Sequence, residues 1–178
     1  MKFQTAEIHG FLRILPERQE DARGFFARTY CREEFQRHGL MFVPEQCSAS
    51  FNARRGTLRG MHYQIEPKGE NKLIRCTRGR IYDVALDLRP SSPSFGKWVA
   101  QLLSPENGIQ LYIPRGCAHG FLTLEDGSEV EYMMEGSYDP AHGRGVRWND
   151  PAFAIEWPEP PSVIADRDRQ WPDFKAHD

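Results

Sequence analysis

Short runs of alternating apolar and polar residues dominate the chain, and turn residues separate them. Leu73–Cys76 is one such run, and Arg78-Gly79 turns the chain after it. Along Ile81–Leu88 the alternation places Asp83 and Asp87 on one face with Ile81 and Ala85. Trp98–Leu103 follows, then a turn at Pro105-Glu106-Asn107-Gly108, then Ile109–Ile113 running into Pro114-Arg115-Gly116. Phe121–Leu124 and Val130–Met134 flank Glu125-Asp126-Gly127, which predicts a hairpin. Tyr132 shares a face with Val130 and Met134, opposite Glu129, Glu131 and Glu135, and that face is expected inside. Period-two segments of this length predict an all-β sandwich or barrel. A short helix is expected only at Cys31–His38, closed by Gly39.

Thirteen prolines and fifteen glycines, spread over 178 residues, reinforce that reading. No repeat or linker divides the chain, so one domain over residues 1–178 is expected. From about Pro158 the sequence is rich in proline and charge. It predicts an irregular tail over the barrel, frayed in its last residues.

A formal net charge of −2 without broad basic character argues against nucleic-acid binding. No apolar run approaches the roughly 20 residues of a membrane-spanning helix. The segment Met1–Glu7 lacks the apolar core of a signal peptide. Cys31, Cys47, Cys76 and Cys117 show no CxxC spacing, so disulfides and a zinc knuckle are not expected and a cytoplasmic location is.

Candidate chemistry starts at His119. Gly108-x5-Pro114-x-Gly116-x2-His119 matches the second signature of the cupin barrel, in which the histidine points inward. The companion region, Gly56–Gln64, holds one histidine, His62, where a metal cupin supplies more ligands. Two histidines make a poor transition-metal site, so no metal is expected, and the barrel mouth becomes the ligand pocket. Arg59, His62 and Lys72 flank the polar loop Glu66–Asn71. Arginine and lysine suit a phosphate or an oxyanion, histidine suits a base, and Tyr132 offers an acid. Taken singly, an inward histidine or tyrosine is more often structural. Arg54-Arg55 and Arg78-Gly79-Arg80 read as solvated turn charges, and His9, His38, His142 and His177 are assigned no role.

Longer motifs add to this. Leu58-Arg59-Gly60-Met61-His62-Tyr63-Gln64 resembles the dTDP-4-dehydrorhamnose 3,5-epimerases. So do Asp21–Phe26, Lys72–Cys76, Asp83–Arg89, Ser92–Trp98, Ile113–Phe121, Trp148–Pro151 and the closing Asp166-Arg167-Asp168. The likeness covers about residues 8–174. It implies a cupin-type jelly-roll barrel with short peripheral helices, cofactor-free, homodimeric and cytoplasmic. It also implies a nucleotide-linked 4-keto-6-deoxyhexose as substrate. By position, His62 corresponds to the base, Asp168 to its orienting carboxylate, Tyr132 to the acid of the opposite face, and Lys72 to the cation on the enolate. His119 and Asp83 would line the sugar pocket. Arg23, Phe26 and Arg59 would hold the nucleotide diphosphate beside Tyr138.

Three departures touch substrate recognition. Arg28 stands where the family has a glutamate, Cys47 and Ala49 stand where it presents glutamine and asparagine inward, and Phe51 replaces a serine. Arginine suits the acceptors of cytosine better than the N3–H of thymine, so a CDP-linked sugar, inverted at C3 alone or C5 alone, is an alternative. A metal-dependent cupin and a non-catalytic sugar-binding cupin are further alternatives. The set His62, Lys72, Tyr132 and Asp168 speaks against a mere binder.

Overall fold

The computed structural model describes residues 1–175; His177 and the last residues of the tail lie outside them. The first part of the chain forms β1 (Lys2–Thr5), β2 (Leu12–Leu15), β3 (Arg18–Asp21), β4 (Gly24–Ala27), α1 (Arg32–Arg37) and β5 (Gln46–Asn52). The middle forms β6 (Thr57–Gln64), β7 (Lys72–Arg78), β8 (Ile81–Asp87), β9 (Trp98–Leu103) and β10 (Gln110–Ile113). Then come β11 (Cys117–Thr123), β12 (Ser128–Met134), β13 (Gly143–Gly145), β14 (Val163–Ile164) and α2 (Asp166–Arg169).

Two sheets face each other. The first runs β1-β2-β10-β7-β12-β5, and the second runs β13-β6-β11-β8-β9 with β14 added parallel to β6. Cross-strand partners put Ile74 and Tyr132 on the inner face of the first sheet, and His62, His119 and Ala85 on the inner face of the second. Between them lies a core of Ile8, Phe11, Ile74, Ile81, Val99, Leu103, Leu111, Phe121 and Val130. This is the all-β sandwich that the alternation predicts and the jelly roll that the resemblance implies. Each sheet is also covered outside. Phe35 of α1 and Phe42 pack on Ile14, Leu73 and Tyr112 of the first sheet. Phe153, Ile155 and Trp157 pack on Met61, Val84 and Leu86 of the second. Strands buried on both faces explain why β11 is sealed along its whole length.

Two expectations change. Glu125-Asp126-Gly127 does turn the chain, with Gly127 at φ 68, but β11 and β12 do not pair. They belong to different sheets, so the segment crosses the sandwich. Asp126 accepts from the backbone N–H of Arg55 at 2.6 Å, tying the crossing to the loop between β5 and β6. A turn signal reports chain reversal and says nothing of which strand becomes the partner. The tail is also more ordered than its composition suggests, since β14 and α2 fall within it. Trp171 packs where any side chain on Gly145 would overlap its indole, Phe174 lies tilted against Phe153 with ring centroids 4.9 Å apart, and Arg147 pairs with Asp173.

Candidate active site

A cavity of about 580 Å³ opens between the sheets. The first sheet contributes Ser48, Ser50, Lys72, Tyr132 and Met134; the second contributes Leu58, Arg59, His62 and His119. The anchored tail closes one side with Ile164, Ala165 and Asp168.

His62 sits on β6 directly across from His119 on β11. Its Nε2 donates to Asp168 Oδ1 at 2.6 Å, and the other carboxylate oxygen accepts from the Gly60 N–H at 3.2 Å. With Nε2 donating, Nδ1 keeps its lone pair. The two strands come very close here: a Cβ on Gly60 would lie 2.5 Å from Gly120 Cα, so both positions must be glycine. A second pair lies beside the first, with His119 Nε2 donating to Asp83 Oδ2 at 2.8 Å. Tyr132 on β12 meets His119 edge-on at 5.8 Å between ring centroids. Lys72 on β7 is almost buried; its ammonium donates to the His62 carbonyl at 3.4 Å and pairs with Glu70 at 3.3 Å. Arg59 Nε donates to Asn52 Oδ1 at 2.8 Å, and the amide of Asn52 is itself anchored on the carbonyls of Ser50 and Ser128. Tyr138 is exposed at the rim.

A sequence profile described as dTDP-4-dehydrorhamnose 3,5-epimerase matches residues 5–176. The protein of that name from Pseudomonas aeruginosa is 42% identical over 100% of this chain and 98% of its own. The one from Sinorhizobium fredii is 40% identical over 97% of this chain and 89% of its own. A Bacillus anthracis crystal structure of that name, with TDP and PPi bound, superposes with a TM-score of 0.94 at 38% identity, covering 97% of this chain and 99% of that one. The chain belongs to the dTDP-4-dehydrorhamnose 3,5-epimerase family. It is an isomerase of that class, and neither the metal-dependent nor the non-catalytic reading is favoured.

In this epimerase the two histidine–aspartate pairs have opposite electrostatics. Burial alone would raise Asp168, but the hydrogen bond from His62, its charge and the Gly60 N–H bring the carboxyl below its usual range. Asp83 is fully buried, and desolvation raises it despite His119 and Lys72. Its Oδ1 has no hydrogen-bond partner among the described residues. Burial also pushes the Tyr132 phenol well up, with the charge of Asp83 adding to the effect, so the hydroxyl keeps its proton.

The epimerase fold does not gather every residue singled out in the sequence. His62, Lys72, Tyr132, Asp168, Arg59, His119 and Tyr138 line one cavity, with Asp83 bonded behind His119. Arg23, Phe26 and Arg28 lie outside it, on or just after the β3–β4 ribbon, and Phe26 is 70% exposed. Arg28 pairs with Glu34 at 3.3 Å, which removes the ground for a cytosine contact within one chain. Cys47 is exposed on the outer face of β5, because Tyr132 pairs with Ser48 and so shares its face. The inward side chains are those of Gln46, Ser48, Ser50 and Asn52, one residue away from Cys47, and a one-residue slip reverses the face of a strand; Ala49 borders the cavity although its pairing with Glu131 puts it on the other face. Phe51 faces outward for the same reason and is 54% exposed. Glu70, Ser48 and Ser50 also belong to the wall and were not anticipated. Glu70 had a signal, standing two residues before Lys72 at the end of the polar loop.

Proposed function

We propose that this chain inverts C3 and C5 of a dTDP-linked 4-keto-6-deoxyhexose through enolate intermediates, without a cofactor. One observation carries the reading: a base and an acid stand on opposite walls, His62 on β6 of one sheet and Tyr132 on β12 of the other. Inversion requires a proton to leave one face of a carbon and another to arrive on the opposite face. His62 Nδ1 removes the proton beside the ketone, and Asp168 stabilises the imidazolium that forms. Charge moves onto the ketone oxygen, where the Lys72 ammonium opposes it. Tyr132 then delivers its proton from the other side, and solvent restores both groups. Positioned acid and base groups of this kind each contribute about 10²–10⁴-fold. Arg59, held by Asn52 through Nε, turns its remaining N–H groups to the diphosphate.

Residues 1–178 form one epimerase domain in this reading, and a homodimer completes the site. A two-stranded ribbon is marginal by itself, and β3–β4 carries Phe25 and Phe26, 57% and 70% exposed. A second copy accounts for both that exposure and the distance of Arg23 from the cavity. No helix among the described residues is long and apolar enough to cross a membrane. Cys76 and Cys117 are free thiols that burial pushes up to about 11 and about 12, which suits a reducing cytoplasm. The test is NMR of dTDP-4-keto-6-deoxyglucose with the protein in D₂O. Deuterium at both C3 and C5 is expected. Exchange at one carbon refutes the double inversion, and none at either refutes the reading.

A further inference from the structure

One nearly buried carboxylate in the cavity wall has no part in the scheme above. Glu70 has a side chain only 8% exposed and lies at the end of the loop before β7. Its Oε1 is 3.3 Å from Lys72 Nζ, and its Oε2 accepts from Gln64 Nε2 at 3.1 Å. The other end of that amide, Gln64 Oε1, accepts from the backbone N–H of Asp139 at 2.8 Å. Asp139 follows Tyr138, the aromatic residue at the cavity rim. A continuous chain of polar contacts therefore runs from the rim loop through Gln64 and Glu70 to the ammonium.

Lys72 needs such a holder. Its four-carbon stem is flexible, and an ammonium offers no fixed fork as a guanidinium does. The groups facing it are His62 from β6, Asp83 from β8, His119 and Cys117 from β11, Tyr132 from β12, and Glu70 from the loop. Asp83 is already bonded to His119. Glu70 is the group in direct ionic contact with the lysine among the described residues. We infer that Glu70 is a positioning residue, which holds the Lys72 ammonium aimed at the ketone oxygen and ties that placement to the Tyr138–Asp139 rim. The inference rests on the role of Lys72 proposed above. Gln64 contributes by fixing which carboxylate oxygen faces Lys72, since its amide is bonded at both ends.

The test compares full-length wild type with Glu70→Gln and Glu70→Ala. Each is assayed for kcat and KM with dTDP-4-keto-6-deoxyglucose. In parallel the Lys72 side chain is followed by NMR of protein carrying ¹³C-labelled lysine, its resonance assigned by its loss in Lys72→Met. Glu70→Ala is expected to shift the Lys72 Cε resonance and to narrow it as the stem gains freedom, and to lose about tenfold or more in kcat with KM within about threefold, because a misplaced group costs the transition state most. Glu70→Gln keeps a side chain of the same shape and recovers part of both. An unmoved Lys72 resonance in folded variants overturns the inference, as does a loss carried by KM rather than kcat. A moved resonance in a protein that exchanges no substrate protons leaves the Glu70–Lys72 contact standing and refutes the epimerase reading instead.

Discussion

Replacing Asp168 by asparagine probes the proposed base, His62, without emptying its site. The carboxylate is almost sealed, with a side chain 6% exposed, and accepts two hydrogen bonds: His62 Nε2 at 2.6 Å on one oxygen, the Gly60 N–H at 3.2 Å on the other. Asparagine has one carbonyl oxygen and one NH₂ group, so it satisfies one of these donors and confronts the other. If the oxygen serves His62, the NH₂ group faces the Gly60 N–H. If it serves Gly60, the NH₂ group faces Nε2, and the ring must carry its hydrogen on Nδ1, where the base is needed. Either way the imidazolium loses its counter-charge, and a hydrogen bond to a charged group is worth about 1.5–3 kcal/mol. Adding the tautomer penalty gives a loss of about 3–5 kcal/mol of transition-state stabilisation, or about 10²–10⁴ in kcat. One buried donor is left unpaired, so the fold should also lose about 1–3 kcal/mol, and rates are compared below the thermal transition of the variant. The assay is the initial rate of epimerisation together with deuterium uptake at C3 and C5, on protein whose thermal transition is measured in the same buffer. Asp168→Asn within about threefold of wild type refutes the pairing as a catalytic device.

Other substitutions separate further parts of the account. Tyr132→Phe removes the acid of the opposite face and should slow net epimerisation at least tenfold more than wash-in of deuterium; equal slowing, read by NMR, would misplace that role. Gly120→Ala would push a Cβ to 2.7 Å from Met61 Sδ and 2.9 Å from the Arg59 carbonyl, and should cost about 1–3 kcal/mol by urea unfolding as β6 and β11 are forced apart. Asp87 accepts hydrogen bonds from Arg89, Ser92 and Ser94, which overcome its burial and hold its carboxyl well below the usual range. Its stabilisation is therefore fully present above the usual carboxylate range and is lost as pH falls toward the depressed value. Asp87→Asn should cost about 3–5 kcal/mol at pH 7, with the gap from wild type narrowing in acid; a gap independent of pH would exclude the ionic origin.

Local pattern was enough to place much of this architecture. β9 lies where the alternation puts it, and β8 and β10 differ by a residue. Tyr132 faces inward as its neighbours Val130 and Met134 demand. His62 and His119 were legible as inward residues of paired motifs. What escaped is long-range. Nothing near Gly127 says that β12 pairs with β7 and β5 rather than with β11, because that choice is settled by which strand completes each sheet. The face of β5 hung on a register that its own sequence leaves open, since serines, alanine and cysteine alternate there without contrast. A gapless comparison therefore moved Cys47 inward by a single step. The tail hid α2 because its residues are charged, and the pairing of β14 with β6 together with the docking of Trp171 and Phe174 places Asp168 beside His62.

Two histidine–aspartate pairs share the cavity, and residue type alone does not choose between them. Exposure does. The His62 side chain is 42% exposed and that of His119 only 5%. A base that works through many turnovers must pass its proton to water between them, and His62 is open to do so. His119 is shut between the sheets with a fully buried partner whose carboxyl is pushed up by desolvation, and it has little access to the water that would take its proton. Its edge-on contact with Tyr132 instead fixes one side of the phenol. In the proposed scheme the same two residue types thus serve as a reactive pair at the open side of the cavity and as a polar floor at its closed side. The difference is local: His62 lies where the three-residue strand β13 borders β6, whereas His119 lies between two long neighbours, β6 and β8.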